Sequence, residues 1–491
     1  MVRYLLNPMP KSSRRTFLKS SALTAAAASA GTFFLVPRHV LGGKSSVGSR
    51  IIAPSDKLNI AAVGCGGKAD INIRLAHNNG SDNIVALCDV DDRQAQKYRS
   101  QFASAPYFQD YRQLFDKAGK TFDAVIVSTP DHMHAPIAMA AMQLGKHVYV
   151  EKPLTHDIYE ARMLTEAARK YKVVTQMGNQ GSSGDATRVI ETAIQRNIIG
   201  HIHTVYCWTN RPVWPQGVQS PKDKGESQPV PAGVNWPLWL GTAPDRAYHE
   251  AYMPTRWRGY WDFGTGALGD MGCHFMDVPF RALKLKYPTS VECSVGSVYA
   301  DFFKEAFYDD VCPPSSAIHL TFPSNDKKVK EIKFSWFDGG IRPQLPEGVD
   351  YNDVFREVDG GILFFGTKGM LTGGLFGNNP KLLPTSKFSD ADLPKPEKPL
   401  VEGKTEGHQQ QWVKACKQGY GTYTSSSFDE AGPLAETVLM GNLATRSYLA
   451  REDGKFTGRK KLFWDGDTMK ITNFDYANQF VKRRYNGGYT L

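Results

Sequence analysis

Acidic residues are missing from the first 50 positions, where eight lysine and arginine side chains stand without a single aspartate or glutamate. The whole chain of 491 residues has 59 basic and 49 acidic side chains and a formal charge of +10. The remaining 441 residues therefore hold 51 basic and 49 acidic side chains, a charge of only +2. Because this body is almost neutral, the sequence does not favour binding of nucleic acid or of a membrane surface through bulk charge.

Paired metal-binding patterns are also scarce. The seven cysteines are scattered and include no C-x-x-C pair, so the sequence indicates neither a zinc site nor a disulfide framework. Two H-x-H pairs, His132 with His134 and His201 with His203, do not by themselves make a metal site, and we expect no metal. No apolar run after residue 36 is long enough for a transmembrane helix.

The basic N-terminus has the order of an export signal. Ser13 to Lys19 reads SRRTFLK, a twin-arginine pattern, and an alanine-rich, mildly apolar stretch follows it to residue 36. The sequence therefore predicts a signal peptide over residues 1–36, a linker over residues 37–56 and a periplasmic or other extracytoplasmic location. Ala28-Ser29-Ala30 is one candidate cleavage site, and a leader that stays uncleaved as a membrane anchor is the alternative.

Short apolar runs alternate with helical patterns between residues 57 and 183. The runs that read as buried strands cover residues 58–63, 84–89, 124–128, 147–150 and 173–177. Buried strands that alternate with helices are typical of a parallel sheet wound on both faces. The sequence therefore predicts an N-terminal Rossmann domain of the doubly wound α/β class over residues 57–183.

Beyond residue 183 the pattern changes to strand-like alternation. After a helix at 186–196 and a strand at 204–208 comes a long segment rich in proline and tryptophan. The later strand candidates cover residues 290–298, 317–322, 331–337 and 361–365. We expect a C-terminal α/β domain over residues 184–450 with an open, mostly antiparallel sheet. Its last helices, at 407–418 and 428–451, are expected to pack back on the Rossmann domain, and residues 451–491 form a C-terminal extension.

A glycine-rich turn follows the first predicted strand. Gly64, Gly66 and Gly67 belong to G-C-G-G-K-A, a G-x-G-x-x-A pattern at the start of a helix, where a pyrophosphate can approach the backbone. Asp89 stands 25 residues after Gly64 at the end of the second strand, where a carboxylate accepts both ribose hydroxyls and repels a 2′-phosphate. The pattern predicts a site for NAD in preference to NADP.

Three further segments carry a resemblance to a known family. They read STPDHMH at 128–134, GKHVYVEKP at 145–153 and GDMGCHFMD at 269–277. Together they resemble the Gfo/Idh/MocA (glucose-fructose oxidoreductase / inositol dehydrogenase) family over roughly residues 57–450, and the twin-arginine leader is similar to that of its exported members. The resemblance implies an NAD(P)-binding Rossmann domain and a second domain whose open sheet covers the nicotinamide or mediates oligomerisation, so we expect a homodimer or homotetramer.

The catalytic candidates are Lys152, Asp270 and His274. Lys152 follows the strand at 147–150, at the edge where the nicotinamide lies, and its ammonium can stabilise the alkoxide that forms as a hydride leaves. His274 is suited to accept and return the proton. Asp270 lies one helical turn before His274, where it can orient the imidazole or bind a neighbouring hydroxyl.

The resemblance also implies further cofactor contacts. Thr129, Pro130 and His134 match the family's loop after the strand at 124–128, which contacts the adenosine ribose and the nicotinamide, and Glu151 and Lys152 belong to its Glu-Lys-Pro element.

Six of the nine tryptophans lie between residues 208 and 261, interleaved with arginines. Indole faces pack against the C–H faces of sugar rings, while arginine and asparagine hold hydroxyls or a carboxylate. A hydrophobic core or a subunit contact is the alternative for these tryptophans. The substrate-binding candidates are Asn179, Gln180, Arg211, Trp214, Trp257 and Arg258.

These patterns predict an exported NAD-dependent oxidoreductase that acts on a ring hydroxyl of a sugar, glycoside or cyclitol. Because free nicotinamide cofactor is not expected outside the cytoplasm, the NAD is expected to travel tightly bound. One alternative is a redox-neutral hydrolase resembling glycoside hydrolase family 109, which oxidises, eliminates, hydrates and reduces in turn. A non-catalytic sugar-binding relative is the second alternative.

Overall fold

The computed structural model describes residues 43–44, 50–51 and 53–491. The predicted signal peptide, its candidate cleavage site and most of the linker lie outside the described residues. Contacts divide the chain into two units, residues 1–57 and 58–491. In the first unit, β1 (Gly43–Lys44) pairs with β2 (Arg50–Ile51) in antiparallel fashion. Within the described ranges, none of the helices combines the length and the hydropathy that a membrane crossing requires.

Six short strands of the second unit form a fully parallel sheet. They are β3 (Asn59–Val63), β4 (Asn83–Cys88), β5 (Tyr107–Phe108), β6 (Ala124–Val127), β7 (His147–Val150) and β8 (Thr175–Met177). Their order across the sheet is β5-β4-β3-β6-β7-β8, so the winding direction reverses between β3 and β6. In doubly wound folds this reversal leaves a crevice at the carboxyl ends of the strands, where nucleotides bind.

Five helices pack on the two faces of this sheet: α1 (Lys68–His77), α2 (Asp92–Gln101), α3 (Tyr111–Ala118), α4 (His134–Gln143) and α5 (Ile158–Tyr171). Alternate residues of β3 enter different hydrophobic clusters, Ile60 and Ala62 with α1 and α2, and Ala61 and Val63 with α3 to α5. This alternation follows from the two-residue period of a strand and covers both faces of the sheet.

The helix starts differ in a way that matters for the site. Aspartates cap α2, α3 and α5, where Asp91, Asp110 and Asp157 each accept a hydrogen bond from a backbone N–H of the first turn. By contrast, α1 follows Gly67, which has no side chain to cap it. The start of α1 is therefore not covered by a capping side chain, although the N–H groups of Ala69 and Asp70 already donate to the carbonyl oxygens of Gly66 and Gly67.

The rest of the chain builds a second, larger sheet. Its strands and hairpins are β9 (Ile202–Thr209), β10 (Ser290–Val295), β11 (Val298–Asp301), β12 (Lys304–Ala306), β13 (Ser316–Pro323), β14 (Glu331–Phe337), β15 (Gly360–Gly366), β16 (Met370–Gly373), β17 (Lys381–Leu383), β18 (Arg451–Glu452), β19 (Lys455–Phe456), β20 (Leu462–Asp465) and β21 (Lys470–Ile471). Nine of them form a sheet in the order β17-β16-β15-β9-β14-β13-β10-β20-β21, in which only the β9–β14 pair is parallel. The pairs β11–β12 and β18–β19 are separate hairpins.

The helices of this second part are α6 (Asp185–Gln195), α7 (Pro221–Lys224), α8 (Trp236–Leu240), α9 (Gly266–Phe275), α10 (Asp277–Ala282), α11 (Tyr351–Val354), α12 (His408–Gln418) and α13 (Phe428–Tyr448). Short 3₁₀ turns cover Pro54–Asp56, Asn78–Gly80, Asp131–Met133, Gln180–Ser183, Arg256–Gly259, Leu375–Gly377, Asp390–Asp392 and Asp475–Phe480. Helix α13 contacts α5 of the Rossmann domain as well as α9 and β10, and α12 contacts α1. One hydrophobic cluster accordingly runs from the parallel sheet into the large sheet.

The expected fold class is confirmed: a Rossmann domain is followed by an α/β domain with a mostly antiparallel sheet. The helices expected at 407–418 and 428–451 exist as α12 and α13 and pack on the first domain. The strand expected at 290–298 is two strands, β10 and β11. Strands β16, β17, β20 and β21 were not predicted from the sequence.

The residues expected to form a C-terminal extension are integrated into the fold. Strand β20 pairs with β10 in antiparallel fashion, and β21 pairs with β20 at the edge of the large sheet. The last residues of the sequence return to the Rossmann domain, where Arg483 and Tyr485 contact Glu160 of α5.

Candidate active site

The glycine-rich turn after β3 is shaped for the close approach of a ligand. Gly64 has a φ of 88°, and a Cβ there would lie 2.5 Å from the carbonyl oxygen of Ser128, so only glycine fits between the two loops. Gly67 has a φ of 55°, and a Cβ there would meet no atom within 4 Å. The turn thus presents bare backbone to an open space beside the start of α1, as a pyrophosphate site requires.

Asp89 lies at the end of β4, next to this turn. Its two carboxylate oxygens accept hydrogen bonds from the backbone N–H of Cys65 at 2.7 Å and of Asp91 at 2.9 Å. Burial raises the pKa of Asp89 to about 6. The nearby Arg93 is bound to Asp91 by a 2.7 Å ion pair and is not free to neutralise a 2′-phosphate. The predicted preference for NAD therefore agrees with the charges around Asp89.

A cavity of about 400 Å³ extends along the carboxyl edge of the parallel sheet. Its walls come from the turn after β3, from Asp89, from the loop after β6 and from Glu151 and Lys152 after β7. The segment from Leu238 to Arg258 and a residue near the end of the sequence, Tyr489, complete it. The predicted cofactor residues that line this cavity are Gly64, Gly66, Gly67, Asp89, Thr129, Pro130, Glu151 and Lys152.

Two polar groups at this cavity support its assignment as a cofactor site. The Oγ1 atom of Thr129 is buried and has no hydrogen-bond partner within the described structure. Buried polar atoms are almost always paired, so this hydroxyl fits a ligand group in the cavity. Glu151 is held by Asn72, whose Nδ2 donates to Oε1 at 2.9 Å, and Glu151 Oε2 accepts from the backbone N–H of Lys152 at 3.2 Å.

His134 is placed differently from the other cofactor candidates. Its Nδ1 lies 2.7 Å from the carbonyl oxygen of Pro153, and its Nε2 lies 2.8 Å from that of Thr129. The ring therefore ties the loop after β6 to the loop after β7, and it does not line the cavity. A direct contact between His134 and the cofactor stays a prediction, whereas a role in positioning Thr129 follows from these distances.

Lys152 forms the centre of a charged cluster at one end of the cavity. Its ammonium donates to Asp270 Oδ1 at 2.6 Å and to the backbone carbonyl of Asp270 at 2.9 Å. Arg258 Nε lies 3.4 Å from the same Oδ1, and Arg258 NH1 lies 3.4 Å from Asp131 Oδ1. Thr265 donates to the other oxygen of Asp131 at 2.6 Å. Two cations and two carboxylates thus alternate along one edge of the site.

The charges of this cluster determine the protonation state of Asp270. Burial acts to raise the pKa of the Asp270 carboxyl, but the charges of Lys152 and Arg258 outweigh it and hold the pKa well below its usual range. Asp270 is therefore ionised at neutral pH, and it fixes the direction in which the Lys152 ammonium points. Within the described residues no hydrogen bond joins Asp270 to His274, so the role of Asp270 in orienting the imidazole or binding a neighbouring hydroxyl stays a prediction.

His274 lies on α9, the same helix as Asp270, in a buried position. Burial and, after it, the charge of Lys152 hold the pKa of His274 well below its usual value, so the imidazole is neutral at neutral pH. Its Nδ1 has no hydrogen-bond partner in the described residues. The edge of the ring packs against Phe376 at a centroid distance of 5.0 Å.

Asn179 is the substrate candidate that lies beside His274. Its Nδ2 donates weakly to the carbonyl oxygen of Cys273 at 3.4 Å, and its Oδ1 is buried without a partner among the described residues. Two unpaired buried polar atoms, Asn179 Oδ1 and His274 Nδ1, are thus held by neighbouring segments. Gln180 follows Asn179 in a 3₁₀ turn and is only half-buried.

The remaining substrate candidates divide into two groups. Trp214, Trp257 and Arg258 lie together, since the Arg258 guanidinium sits 4.4 Å from the ring of Trp257 and 5.7 Å from that of Trp214. Arg211 is engaged elsewhere, where its NH1 contacts Asp359 Oδ1 at 2.9 Å. The structure does not bring Arg211 to the cavity, and its contact with a substrate stays a prediction.

Three of the six tryptophans of the tryptophan-rich segment pack against other aromatic side chains in hydrophobic clusters. Trp236 and Trp239 stack at a centroid distance of 4.8 Å inside a cluster with Tyr252 and Phe263. Trp208 is buried against Phe355 in a different cluster. The core alternative therefore holds for these three tryptophans, because their ring faces are already covered by other aromatic side chains.

Two residues of the site, Asp131 and Tyr489, were not predicted from the sequence. Asp131 lies inside the STPDHMH segment and pairs with Arg258, so its position beside a recognised motif was a usable signal. Tyr489 lines the cofactor cavity, but it lies 378 positions after its ring neighbour Tyr111 and no local pattern marks it.

Comparison with known protein families assigns both domains. Residues 58–179 match the oxidoreductase family with the NAD-binding Rossmann fold, and residues 189–300 match the C-terminal alpha/beta domain of that family. A glycosyl hydrolase family 109 protein of Shewanella pealeana is 27% identical over 207 residues, which are 39% of this chain and 44% of that protein. The chain thus matches less than half of the length of this relative.

Solved structures show the same fold. The WlbA dehydrogenase from Bordetella pertussis, in complex with NADH and UDP-GlcNAcA, is 17% identical with a TM-score of 0.55, and the similarity covers 79% of this chain and 96% of that one. Levoglucosan dehydrogenase, in complex with NADH and levoglucosan, is 16% identical with a TM-score of 0.52, covering 80% and 98% of the two chains.

Proposed function

Since the chain belongs to the Gfo/Idh/MocA oxidoreductase family, we propose that it uses NAD to interconvert an alcohol and a ketone on the ring of a carbohydrate or cyclitol. The observation that carries this proposal is the ion pair of Lys152 with Asp270 at the carboxyl edge of the Rossmann sheet. An ammonium held in a fixed direction beside a nicotinamide cavity is suited to a reacting hydroxyl group.

Lys152, Asp270 and His274 have separate roles at the reacting oxygen. NAD, when bound, supplies the hydride acceptor or donor. Lys152 donates a hydrogen bond to the substrate oxygen and stabilises the negative charge that develops on it, while Asp270 keeps the ammonium in place. His274 is neutral, so it accepts the hydroxyl proton during oxidation and returns it during reduction.

The unpaired polar atoms near His274 support a polyhydroxylated substrate. Buried polar atoms without partners are costly, and Asn179 Oδ1 and His274 Nδ1 both need donors or acceptors from a ligand. A sugar or cyclitol ring supplies adjacent hydroxyls that can meet them. The guanidinium of Arg258, held on the ring of Trp257, adds a further donor at the same site. The dehydrogenases with similar folds, which were solved with a nucleotide sugar or an anhydrosugar, agree with this class.

A redox-neutral glycoside hydrolase is the second candidate, and the 27% identity to a glycosyl hydrolase family 109 protein favours it. On this chain, such a reaction would draw on Lys152 and His274 in its first step, because it too begins with oxidation of a ring hydroxyl. It differs in its net reaction, since water replaces the glycosidic group and the cofactor returns to its starting state.

One measurement separates the two reactions. We expect the protein purified without added nucleotide to contain NAD, and the addition of the correct free sugar or cyclitol to produce a lasting change in absorbance at 340 nm. A chromogenic glycoside that releases its aglycone without a lasting change at 340 nm would instead establish the hydrolase. A panel of sugars, cyclitols and glycosides that changes neither signal, with NAD bound, would contradict both reactions.

The proposal includes export with the cofactor already bound. It rests on the twin-arginine pattern at Arg14 and Arg15, since this route carries folded proteins. In a host with this pathway, the protein is expected in the periplasmic fraction with about one NAD per chain. The double substitution Arg14→Lys and Arg15→Lys should hold it in the cytoplasm. Equal periplasmic amounts of the native protein and the double variant would refute this route.

A further inference from the structure

Residues 481–491, called the closing segment below, reach the cofactor cavity. Tyr489 lines the same cavity as the glycine turn after β3 and Asp89. Its ring stacks on Tyr111 at a centroid distance of 6.3 Å with an angle of 25° between the planes. The guanidinium of Arg112 lies 4.7 Å from the centre of the Tyr489 ring. The ring is therefore held in one place by two neighbours from the start of α3.

The position of Tyr489 identifies the end of the cavity that it covers. Tyr111 lies just beyond β5, which pairs with β4, and Asp89 directly follows β4. In a Rossmann domain the acidic residue at the end of the second strand holds the ribose of the adenosine half. Lys152, which marks the nicotinamide end, follows β7 on the opposite side of the crevice. Tyr489 thus stands at the adenosine end.

The closing segment is anchored by buried contacts. Arg483 donates to Glu160 Oε1 at 2.8 Å from Nε and at 2.6 Å from NH2, and also to the carbonyl oxygen of His132 at 2.6 Å. Its NH1 donates to Thr242 Oγ1 at 2.7 Å. The hydroxyl of Tyr485 donates to the same Glu160 oxygen at 2.6 Å. Terminal residues are usually frayed unless they are tied down, and these bonds tie this segment to α5 and to the tryptophan-rich segment.

A second segment outside the Rossmann domain also contributes to the wall of the cavity. The backbone N–H of Asn235 donates to the carbonyl of Val90 at 2.8 Å, and that of Asp92 donates to the carbonyl of Gly233 at 2.9 Å. These bonds fasten the segment before α8 to the loop that follows β4. The residues after it, from Leu238 to Arg258, contribute to the cavity wall. The adenosine end is therefore covered by two segments that do not belong to the Rossmann domain.

We propose that Tyr489 and Tyr111 form an aromatic clamp for the adenosine half of NAD, and that the Arg483 anchor holds this clamp closed. Because the two rings already stack on each other, they meet the adenosine half as one aromatic wall of the cavity, and a covered site slows dissociation of the nucleotide. The inference extends the proposed function, because a clamp of this kind explains how the cofactor stays bound after export. Tyr489 is a binding residue in this scheme, and Arg483 is a positioning residue.

The test measures nucleotide release and needs no substrate. Native protein, Tyr489→Ala, Tyr489→Phe and Tyr420→Ala are purified with NAD, and the release rate is followed by dilution into a nucleotide trap. Tyr420 is a half-exposed tyrosine outside the cavity and serves as the matched control. We expect Tyr489→Ala to release NAD roughly 10- to 100-fold faster than the native protein, while Tyr489→Phe and Tyr420→Ala stay within about twofold of it.

A shortened chain that ends at Asn486 keeps the Arg483 anchor and removes the aromatic ring, so it should behave like Tyr489→Ala. Release rates for Tyr489→Ala and the shortened chain equal to that of the native protein would overturn the clamp. If the native protein binds NAD only weakly, the proposed tight retention of the cofactor is wrong. The clamp is then tested by comparing the dissociation constants of the native protein and Tyr489→Ala for added NAD. Equal constants for native protein and Tyr489→Ala would also overturn it, whereas a roughly tenfold difference would support it.

Discussion

Replacement of Lys152 by methionine is expected to lower turnover about a thousandfold while NAD stays bound. Methionine keeps most of the length of the side chain but removes the ammonium that donates to the substrate oxygen. Loss of one such donor or proton-handling group typically reduces the rate by roughly 10² to 10⁴. The measurement is the rate of absorbance change at 340 nm with the sugar or glycoside that is active in the panel, together with the amount of NAD retained after purification.

The structure explains why this variant should fold. Asp270 loses Lys152 as a partner, but Arg258 remains 3.4 Å from its Oδ1. Lys117→Met, at an exposed position on α3, is a matched control and should keep the native rate. A Lys152→Met protein that turns over within threefold of the native protein would remove Lys152 from the reaction. Loss of bound NAD in this variant would show that Lys152 acts mainly through the cofactor.

Asp270→Asn is expected to lower both turnover and stability. The carboxylate is the common partner of Lys152 and Arg258, whose side chains are 13% and 19% exposed, and asparagine would leave both cations without it. Removal of one partner from a buried ion pair usually costs about 3 kcal/mol or more of the free energy of unfolding. Turnover should also fall, because the Lys152 ammonium is no longer held in a fixed direction.

The measurement is the free energy of unfolding in urea for the native protein and the variant. Asp429→Asn is the control, since Asp429 pairs with Arg169 on the surface, where both side chains are more than half exposed. An exposed pair contributes no more than about 1 kcal/mol, so the control should differ little from the native protein. A loss for Asp270→Asn no larger than that of the control would contradict a structural role for this ion pair.

The stability difference should also depend on pH. Because the pKa of Asp270 is held below its usual value of 3.8, the ionised carboxyl stabilises the fold fully above that pH, and the contribution is lost as the pH falls through the lower folded value. The difference between native protein and Asp270→Asn is therefore expected to be constant between about pH 6 and 8 and to shrink below about pH 4.

The parallel sheet and the cofactor turn were predictable because their signals are local. Strands β3, β4, β6 and β7 are short apolar runs, and Gly64 and Asp89 each follow one of them directly. In a doubly wound sheet the carboxyl ends of neighbouring strands meet at one edge. Knowledge of the strand order is thus enough to bring the glycine turn, Asp89 and Lys152 to the same crevice.

The roles within the cluster were less predictable. Helical spacing placed Asp270 and His274 on α9 one turn apart and favoured an interaction between them. In the structure, Asp270 turns to Lys152, 118 positions away, because an ammonium is a stronger partner for a carboxylate than a buried neutral imidazole. The tryptophans were equally hard to separate from the sequence, since Trp236 and Trp239 cover each other whereas Trp214 and Trp257 meet Arg258.

By itself, the sequence determined that this protein has a Rossmann domain with a site for NAD, a second α/β domain and a lysine at the carboxyl edge of the parallel sheet. These features depend on periodicity and on residues that directly follow strands. Only the tertiary structure decided which carboxylate holds Lys152, which tryptophans are core and that Tyr489 reaches the adenosine end. Those contacts join segments hundreds of positions apart, and they form because buried charges and aromatic faces must find partners wherever the packed chain brings them together.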